Sequence, residues 1–297
     1  MGRSALIFAY DEPDGLRQVM ESVRGSSVSH IVVAAGGGAD TVEVLRSLAS
    51  QGISVLFERE RLGKAAAYNR AIGSVRGDAV VIVNSDVVVE PETIDLLLSS
   101  VEGGCDISFP RIVPDRSRGF WSRVSSVLWD LQDVRIRTLM GKGMVPSSGE
   151  VFAIRSGHLR PIPEVINDDA YIFARVAREG GTLCYLREAE VVNFPPSSPR
   201  DIVMQRRRVI LGHMQLLSLG TYSDTSVTML LSGKGVLLTV MLEAIRECRW
   251  RSLYLFPLLL LEAISFALAL GDLRRGRSML RWPIVRSTKI HFERRNL

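Results

Sequence analysis

Short apolar runs alternate with segments of helical periodicity over roughly the first 112 residues. This alternation predicts repeated βα units around a mainly parallel sheet. We expect strands at residues 5–9, 30–35, 53–57, 79–84 and 106–112. We expect helices at residues 13–24, 40–51, 64–75 and 91–102. Strand 79–84 is apolar up to its last residue, so both of its faces should be buried.

The α/β pattern continues beyond residue 112. Residues 118–140 are predicted to form one long amphipathic helix, because apolar side chains recur there at helical spacing. A strand at 151–154, a helix at 168–179 and a strand at 183–186 follow. The sequence therefore predicts an α/β domain over residues 1–215 and a separate region over residues 216–297.

Three polar clusters lie within the α/β pattern. They are Asn84-Ser85-Asp86, Asn167-Asp168-Asp169 and Gln205-Arg206-Arg207-Arg208. The carboxyl ends of sheet strands open onto the binding crevice of an α/β fold, and Asp86 follows such an end. One acidic group to hold a divalent cation, a second to act as general base and arginines to bind phosphate favour a transferase with a phosphate leaving group.

Each cluster also has a purely structural interpretation. Asp86 suits a turn or a helix cap, and Asp168 and Asp169 suit the first turn of a helix, where the dipole favours negative charge. The arginines at 206–208 suit a solvated or lipid-facing basic run. The order of the clusters along the chain favours the chemical interpretation for Asp86 and Asp169.

Composition separates the tail from the α/β domain. Apolar residues reach 46% alongside 23% charged residues, and the mean hydropathy of +0.16 indicates a soluble body joined to an apolar segment. Residues 252–271 contain one charge, Glu262, and are long enough to cross a hydrocarbon core of about 30 Å. We expect them to span or insert deeply into a membrane, the alternative being a buried core helix. Residues 226–245 would pair with them as a hairpin or lie in the interface.

Charge and cysteine usage limit the class further. A net charge of +5 suits nucleic acid, anionic lipid or a phosphorylated substrate. Cys105, Cys184 and Cys248 are far apart and lack a CxxC or Cys/His spacing. We therefore expect neither a disulfide framework nor a zinc site, as is usual in a reducing compartment. The apolar run at 5–9 is too short for a signal peptide.

Five motifs in order resemble the inverting family 2 glycosyltransferases with a GT-A fold, and within them the cellulose-synthase and hyaluronan-synthase branch. Residues 8–12 (FAYDE) are similar to the opening strand with its PxYNE turn, and residues 63–71 (GKAAAYNRA) to the helix start GKaxALNxAl. The DxD, TED and QxxRW positions are occupied by residues 84–86, 167–169 and 205–209. The resemblance covers about residues 4–215.

The resemblance implies a Rossmann-like GT-A domain with a C-terminal helical membrane region, and an enzyme that transfers a sugar from a nucleotide-sugar donor with inversion. It implies that Asp86 ligates Mg²⁺ or Mn²⁺. Catalysis falls to Asp169 and Asp168, with Asp169 taking the proton of the acceptor hydroxyl. The residues expected to bind the donor are Tyr10, Glu12, Lys64, Asn84, Asp86, Gln205, Arg207 and Arg208.

The resemblance also guides the substrates and the location. We favour GDP-mannose, with UDP-sugars close behind, and a lipid-linked saccharide of the polyprenyl or dolichyl phosphate type as acceptor. Membrane lipid is an expected partner and nucleic acid is not. The catalytic domain would lie in the cytoplasm, against the membrane. A tail with at most two membrane helices is too small to enclose a glycan path, so addition of one sugar is expected. Trp121, Trp129 and the tail would then form the lipid-side wall.

Four positions depart from the family pattern. Asn84 replaces the first acid of the metal motif, and Asp168 replaces a glutamate. The nucleobase-side DDGS loop reads Ala34-Ala35-Gly36-Gly37-Gly38, which removes the aspartate expected at the base. Val209 replaces a tryptophan and weakens the case for processive synthesis.

Several alternatives remain. A processive polysaccharide synthase using a UDP-sugar shares these motifs, and Asn84 suits a degenerate, non-catalytic membrane scaffold. A nucleotidyltransferase usually needs a Gly/Arg/Lys-rich signature soon after the first strand, which residues 10–13 do not supply. A dinucleotide-binding fingerprint is disfavoured because Thr41 stands where the third glycine would fall.

Overall fold

The computed structural model describes residues 2–140, 145–221 and 249–277, together with 242, 243, 246, 280 and 288. An eight-stranded mixed sheet organises the chain up to residue 193, in the spatial order β3-β2-β1-β4-β7-β6-β8-β5. The strands are β1 (Arg3–Tyr10), β2 (His30–Gly36), β3 (Ser54–Glu58), β4 (Ala79–Asn84), β5 (Val87–Val89), β6 (Ile107–Pro114), β7 (Val151–Arg155) and β8 (Leu183–Asn193).

Eight α-helices surround or follow the sheet within the described residues. They are α1 (Pro13–Gly25), α2 (Ala39–Ser50), α3 (Lys64–Ala71), α4 (Pro91–Glu102), α5 (Phe120–Leu139), α6 (Asp168–Arg178), α7 (Pro199–Ser218) and α8 (Leu255–Arg274). Helices α1, α4 and α7 begin at proline, whose missing N–H costs nothing in a first turn. Ser198 caps α7 by accepting a hydrogen bond from the Asp201 backbone N–H at 3.1 Å.

Strand direction places the ends of β1, β2, β3 and β4 together. These four strands are parallel, so their carboxyl ends share one edge of the sheet. Strand β7 runs antiparallel to β4, with Val83 opposite Val151. The residues that precede β7 therefore lie beside the residues that follow β4.

The α/β expectation is confirmed, with the predicted strands and helices of residues 5–112 observed close to their predicted bounds. Four details differ. Helix α3 ends at Ala71 and continues as one 3-10 turn. Strand β5 was not predicted, and β8 extends to Asn193 rather than to residue 186. Helix α7 continues to Ser218, past the predicted domain boundary at residue 215.

Both faces of the sheet are buried. Ile7 and Val81 pack on one face with α1, α2 and α4, whereas Leu6 and Ile82 pack on the other face with α3 and α6. The expectation that strand 79–84 is covered on both sides is confirmed. Fully burying such side chains contributes about 1.5–3 kcal/mol each, so this two-sided core holds the strand ends in place.

The tail helix α8 lies along the domain on one face only. Its inward face packs on α5 through Leu255 and Leu258. Its outward face is apolar and exposed, with Phe256 80% exposed. Within the described residues, α8 alone is long and apolar enough to cross a membrane. Residues 226–245 lie almost entirely outside the described ones, so the hairpin stays a prediction.

The expectation that Trp129 forms part of a lipid-side wall is wrong. This side chain is only 7% exposed, and its Nε1 donates a hydrogen bond to Glu150 Oε1 at 3.3 Å. Trp129 therefore lies inside the domain. Trp121 packs instead beside α8, among Val124, Leu255 and their neighbours.

The expectation of no disulfide is also wrong. Cys105 and Cys184 form a disulfide with their Cα atoms 6.1 Å apart. Cys105 precedes β6 and Cys184 lies in β8, and these strands pair in parallel with Ser108 opposite Cys184. Sheet pairing brings the two cysteines together across 79 residues of sequence, and spacing alone carries no sign of it.

Candidate active site

The end of β4 is fastened to the residues that precede β7. The Asn84 backbone N–H donates to the Glu150 carbonyl at 3.0 Å, and Asn84 Nδ2 donates to the Gly149 carbonyl at 2.7 Å. Ser85 N–H donates to the Phe8 carbonyl of β1 at 3.0 Å. These bonds fix the direction in which the chain leaves the sheet and thereby place Asp86.

Asp86 is a partly buried residue whose carboxylate has one unused oxygen. Within the described residues, its Oδ1 is inaccessible to solvent and has no hydrogen-bond partner. Burial raises the pKa of Asp86, and the positive charges of Lys64 and Arg208 partly offset that rise. A buried carboxylate oxygen without a partner costs free energy. A cation bound at this oxygen would remove that cost.

Asp168 and Asp169 open helix α6 beside α7. Asn167 precedes them and donates from Nδ2 to the Val209 carbonyl at 2.9 Å. A Cβ atom at Gly212 would lie 2.5 Å from Asn167 Cγ, so the glycine permits this close approach. The start of α6 is therefore held against the middle of α7, near Arg208.

The predicted base lies in the same cluster as Asp86. Burial and the negative charge of Asp168 raise the pKa of Asp169, whereas Lys64 and Arg208 act in the opposite direction. Lys64 Nζ lies 3.3 Å from Asp168 Oδ2. Both Asp86 and Asp169 thus interact with the same two cations across one site.

Arg208 is a partly buried cation of this cluster. Burial lowers its pKa, and the carboxylates of Asp168, Asp169 and Asp86 raise it. Three negative charges around one guanidinium keep Arg208 charged inside the domain. Arg208, which the motif marks as a donor-binding residue, therefore lies among the predicted acids.

Sequence reasoning missed Glu150. Burial raises its pKa, and the charges of Asp169 and Asp86 raise it further. Its side chain accepts hydrogen bonds from Trp129 Nε1 and from Ser148 Oγ, each at 3.3 Å. The available signal was weak, since Glu150 is an acid directly before the apolar strand at 151–154.

Sequence reasoning also missed Arg61, which follows β3 and lies near the end of β1. Its guanidinium lies 4.7 Å from the centroid of the Tyr10 ring. Glu58, at the end of β3, is buried with its Oε1 unpartnered among the described residues. Glu12 accepts a hydrogen bond from the Ser85 hydroxyl. Tyr10 and Glu12 therefore lie at the strand ends as predicted.

Two further residues, Arg207 and Gln205, were predicted to bind the donor. Arg207 Nη2 donates to Asp272 Oδ1 of α8 at 2.6 Å, so this side chain is committed to the tail. Gln205 is partly exposed on α7. Neither is brought to Asp86 by a described contact, so donor binding by these two residues stays a prediction.

The described side chains of this site supply only some of the ligands that a divalent cation needs. No group of three or more His, Cys, Asp or Glu side chains converges to hold a metal ion among the described residues. Asp86 offers one free oxygen of the hard type that Mg²⁺ and Mn²⁺ prefer. A cation here would complete its coordination with oxygens of a bound substrate or with water.

Comparisons with known proteins identify the fold. Residues 4–161 match the profile of Glycosyl transferase family 2, whereas no curated protein sequence matches the chain significantly. Among solved structures, the chain is similar to the mannosyltransferase PcManGT from Pyrobaculum calidifontis in complex with GDP-Man and Mn²⁺. The TM-score is 0.65 at 15% identity, covering 93% of this chain and 88% of that one.

A second similar fold is glucosyl-3-phosphoglycerate synthase from Mycobacterium tuberculosis, solved with Mn²⁺, UDP and glucosyl-3-phosphoglycerate. The TM-score is 0.53 at 19% identity, covering 76% of this chain and 81% of that one. Identities this low show a shared fold. The family profile extends over more than half of the 297 residues, and we conclude that the chain belongs to glycosyl transferase family 2 and is an enzyme of the glycosyltransferase type with a GT-A fold.

Proposed function

We propose that the chain is a metal-dependent, inverting glycosyltransferase of the cellulose-synthase-like branch. It moves one sugar from a nucleotide-sugar donor, with GDP-mannose favoured, to a lipid-linked saccharide at the cytoplasmic face of a membrane. The observation that carries this proposal is the common site of Asp86 and Asp169. Both carboxylates interact with Lys64 and Arg208. This arrangement suits one donor with the cation-binding acid Asp86 on one side and the general base Asp169 on the other.

The acid–base chemistry follows from the environment of Asp169. Its raised pKa makes the carboxylate a stronger base than an exposed aspartate. Asp169 takes the proton of the acceptor hydroxyl as that oxygen bonds to the anomeric carbon. The bond from this carbon to the diphosphate oxygen breaks on the opposite side, and its electron pair leaves with the diphosphate. The configuration at the anomeric carbon is thereby inverted.

The leaving diphosphate gains negative charge, and cations are placed to offset it. Arg208 lies among the acids, and its pKa is also lowered by the nearby charge of Arg61, so the two guanidiniums lie near each other. A bound Mg²⁺ or Mn²⁺, held by Asp86, would supply further neutralisation of the diphosphate. The similar folds solved with Mn²⁺ support this choice of cation.

The choice of donor rests on two observations. The loop at residues 34–38 lacks the aspartate that the family pattern places at the nucleobase. The similar mannosyltransferase fold was solved with GDP-Man. Together they favour GDP-mannose, although the second similar fold was solved with UDP and a UDP-sugar is therefore the comparison donor in any assay.

The exposed face of α8 supports a membrane-bound acceptor. Its outward side chains include Phe256, Leu260 and Ile264, all exposed. Its inward face is fixed to α7, where Arg206 Nη2 lies 3.2 Å from Glu262 Oε2. A helix that is fixed on one side and apolar on the other suits an in-plane position in the lipid interface, beside the site.

A donor-hydrolysis screen and one variant test this function. Membranes containing the chain are incubated with GDP-mannose and with UDP-sugars, and released nucleoside diphosphate is measured with and without Mn²⁺. Asp169→Asn should lower transfer by about 10²–10⁴-fold while donor binding is retained, because only the base is removed. Unchanged turnover of this variant would show that Asp169 is not the base.

A second assay separates single transfer from polymer synthesis. The purified protein in sealed vesicles should yield a lipid-linked product extended by one sugar. Release of long polymer would refute the proposed single transfer.

A further inference from the structure

The metal motif of this chain lacks an acid at Asn84, and the structure offers a replacement on the neighbouring strand. We propose that Glu150 supplies the second carboxylate of the cation site, in place of the acid that Asn84 removes. This inference rests on the proposed function, since it concerns the same cation. It assigns a role to a residue that matches none of the sequence motifs described above.

Asn84 itself is committed to holding the site together. Its Nδ2 donates to the Gly149 carbonyl at 2.7 Å, and its backbone N–H donates to the Glu150 carbonyl at 3.0 Å. An aspartate at this position would set a carboxylate oxygen against the Gly149 carbonyl. The amide is therefore the side chain that suits residue 84, and it fixes Glu150 beside the end of β4.

Glu150 lies close to both essential acids. The Glu150 carbonyl accepts a hydrogen bond from the backbone N–H of Asn84, two residues before Asp86, and a Cβ atom on the preceding Gly149 would lie 2.8 Å from Asp169 Cγ. Asp86, Glu150 and Asp169, all partly buried, thus lie near one another and near Lys64 and Arg208. A cation bound between two of these carboxylates would offset their negative charge.

The unused oxygen of Asp86 shows where that cation would bind. Asp86 Oδ1 is buried and unpartnered among the described residues. Within the part of the chain that the structure describes, the Glu150 carboxylate accepts two long hydrogen bonds, from Trp129 and Ser148, each at 3.3 Å. These contacts orient the carboxylate and leave its remaining lone pairs for a cation or for a water molecule bound to it.

Mn²⁺ affinity tests the assignment directly. The purified full chain is titrated with Mn²⁺ in the presence of GDP, with UDP in a parallel series, and free Mn²⁺ is followed by electron paramagnetic resonance. Glu150→Gln keeps the size of the side chain and an acceptor for Trp129, but removes the charge. Its dissociation constant for Mn²⁺ should rise by about 10–100-fold. Glu92→Gln, which removes an exposed carboxylate from α4, should leave the constant unchanged.

The possible results separate this inference from the proposed function. If the unmodified chain fails to bind Mn²⁺ both in the presence of GDP and in the presence of UDP, the proposed function fails. If it binds Mn²⁺ and Glu150→Gln matches the Glu92→Gln control, only the role of Glu150 is overturned. Glu150→Asp, which keeps the charge on a shorter side chain, provides a second test if Glu150→Gln unfolds. An affinity below that of the Glu92→Gln control supports the assignment, and an affinity equal to that of the control overturns it.

Discussion

Gly149 should be required for activity because it leaves room for Asp169. A Cβ atom on this glycine would lie 2.8 Å from Asp169 Cγ and 2.9 Å from Oδ2. Ordinary contacts at Cβ begin near 3.4 Å, so Gly149→Ala would move the Asp169 carboxylate by about 0.6 Å. Since a misplacement of about 1 Å can cost about 10²-fold in rate, we expect kcat to fall about tenfold.

The cost of Gly149→Ala to folding should be small by comparison. The atoms that yield belong to one short side chain, so the free energy of unfolding should fall by about 1 kcal/mol. Gly157→Ala provides a matched control, because its Cβ would meet nothing within 4 Å. Chemical unfolding and donor binding are measured beside turnover for both variants. If Gly149→Ala turns over as fast as Gly157→Ala, the position of Asp169 does not control transfer.

Three further variants test the packing around α7. Gly212→Ala would bring a Cβ atom to 2.5 Å from Asn167 Cγ, and chemical unfolding should show a loss of about 1–3 kcal/mol. Asp272 of α8 is 1% exposed and pairs with Arg207. Asp272→Asn weakens this pair, so the free energy of unfolding should fall by about 1–2 kcal/mol and proteolysis of α8 should be faster. Burial lowers the pKa of His213 well below its ordinary value of 6.5, so this side chain stays neutral in the folded chain at a pH where it takes up a proton in the unfolded chain. The free energy of unfolding should therefore fall below pH 6.5 by up to about 1.4 kcal/mol per pH unit, and His213→Gln should flatten that slope.

The repeated βα part of the fold could be predicted because its signals are local. Apolar runs such as residues 79–83 have one interpretation once helical segments flank them, and the buried pattern of β4 agrees with it. Strand β5 escaped prediction because three valines directly after Asp86 are too few to mark a strand. The far end of β8 escaped because residues 187 and 188 are charged, and its pairing with β6 depends on a register shift after Pro110.

The site was predictable to the extent that motifs mark it. Asp86, Asp169, Lys64 and Arg208 were each selected from the sequence, and the fold brings them together. Glu150 belongs to no motif of the family pattern, and only the antiparallel pairing of β4 with β7 places it beside Asp86. Long-range pairing of this kind leaves no periodic signal in either segment.

The arginine run of α7 shows why adjacent identical residues need not share a function. Successive side chains on a helix point about 100° apart, since there are 3.6 residues per turn. Arg206 and Arg207 pair with Glu262 and Asp272 of α8, whereas Arg208 faces the acids of the site. Two arginines thus fix the rotation of α7 against the tail helix, and this rotation directs the third into the site. Docking of α8 and the position of Arg208 are therefore coupled, so loosening the tail should affect donor binding as well as stability.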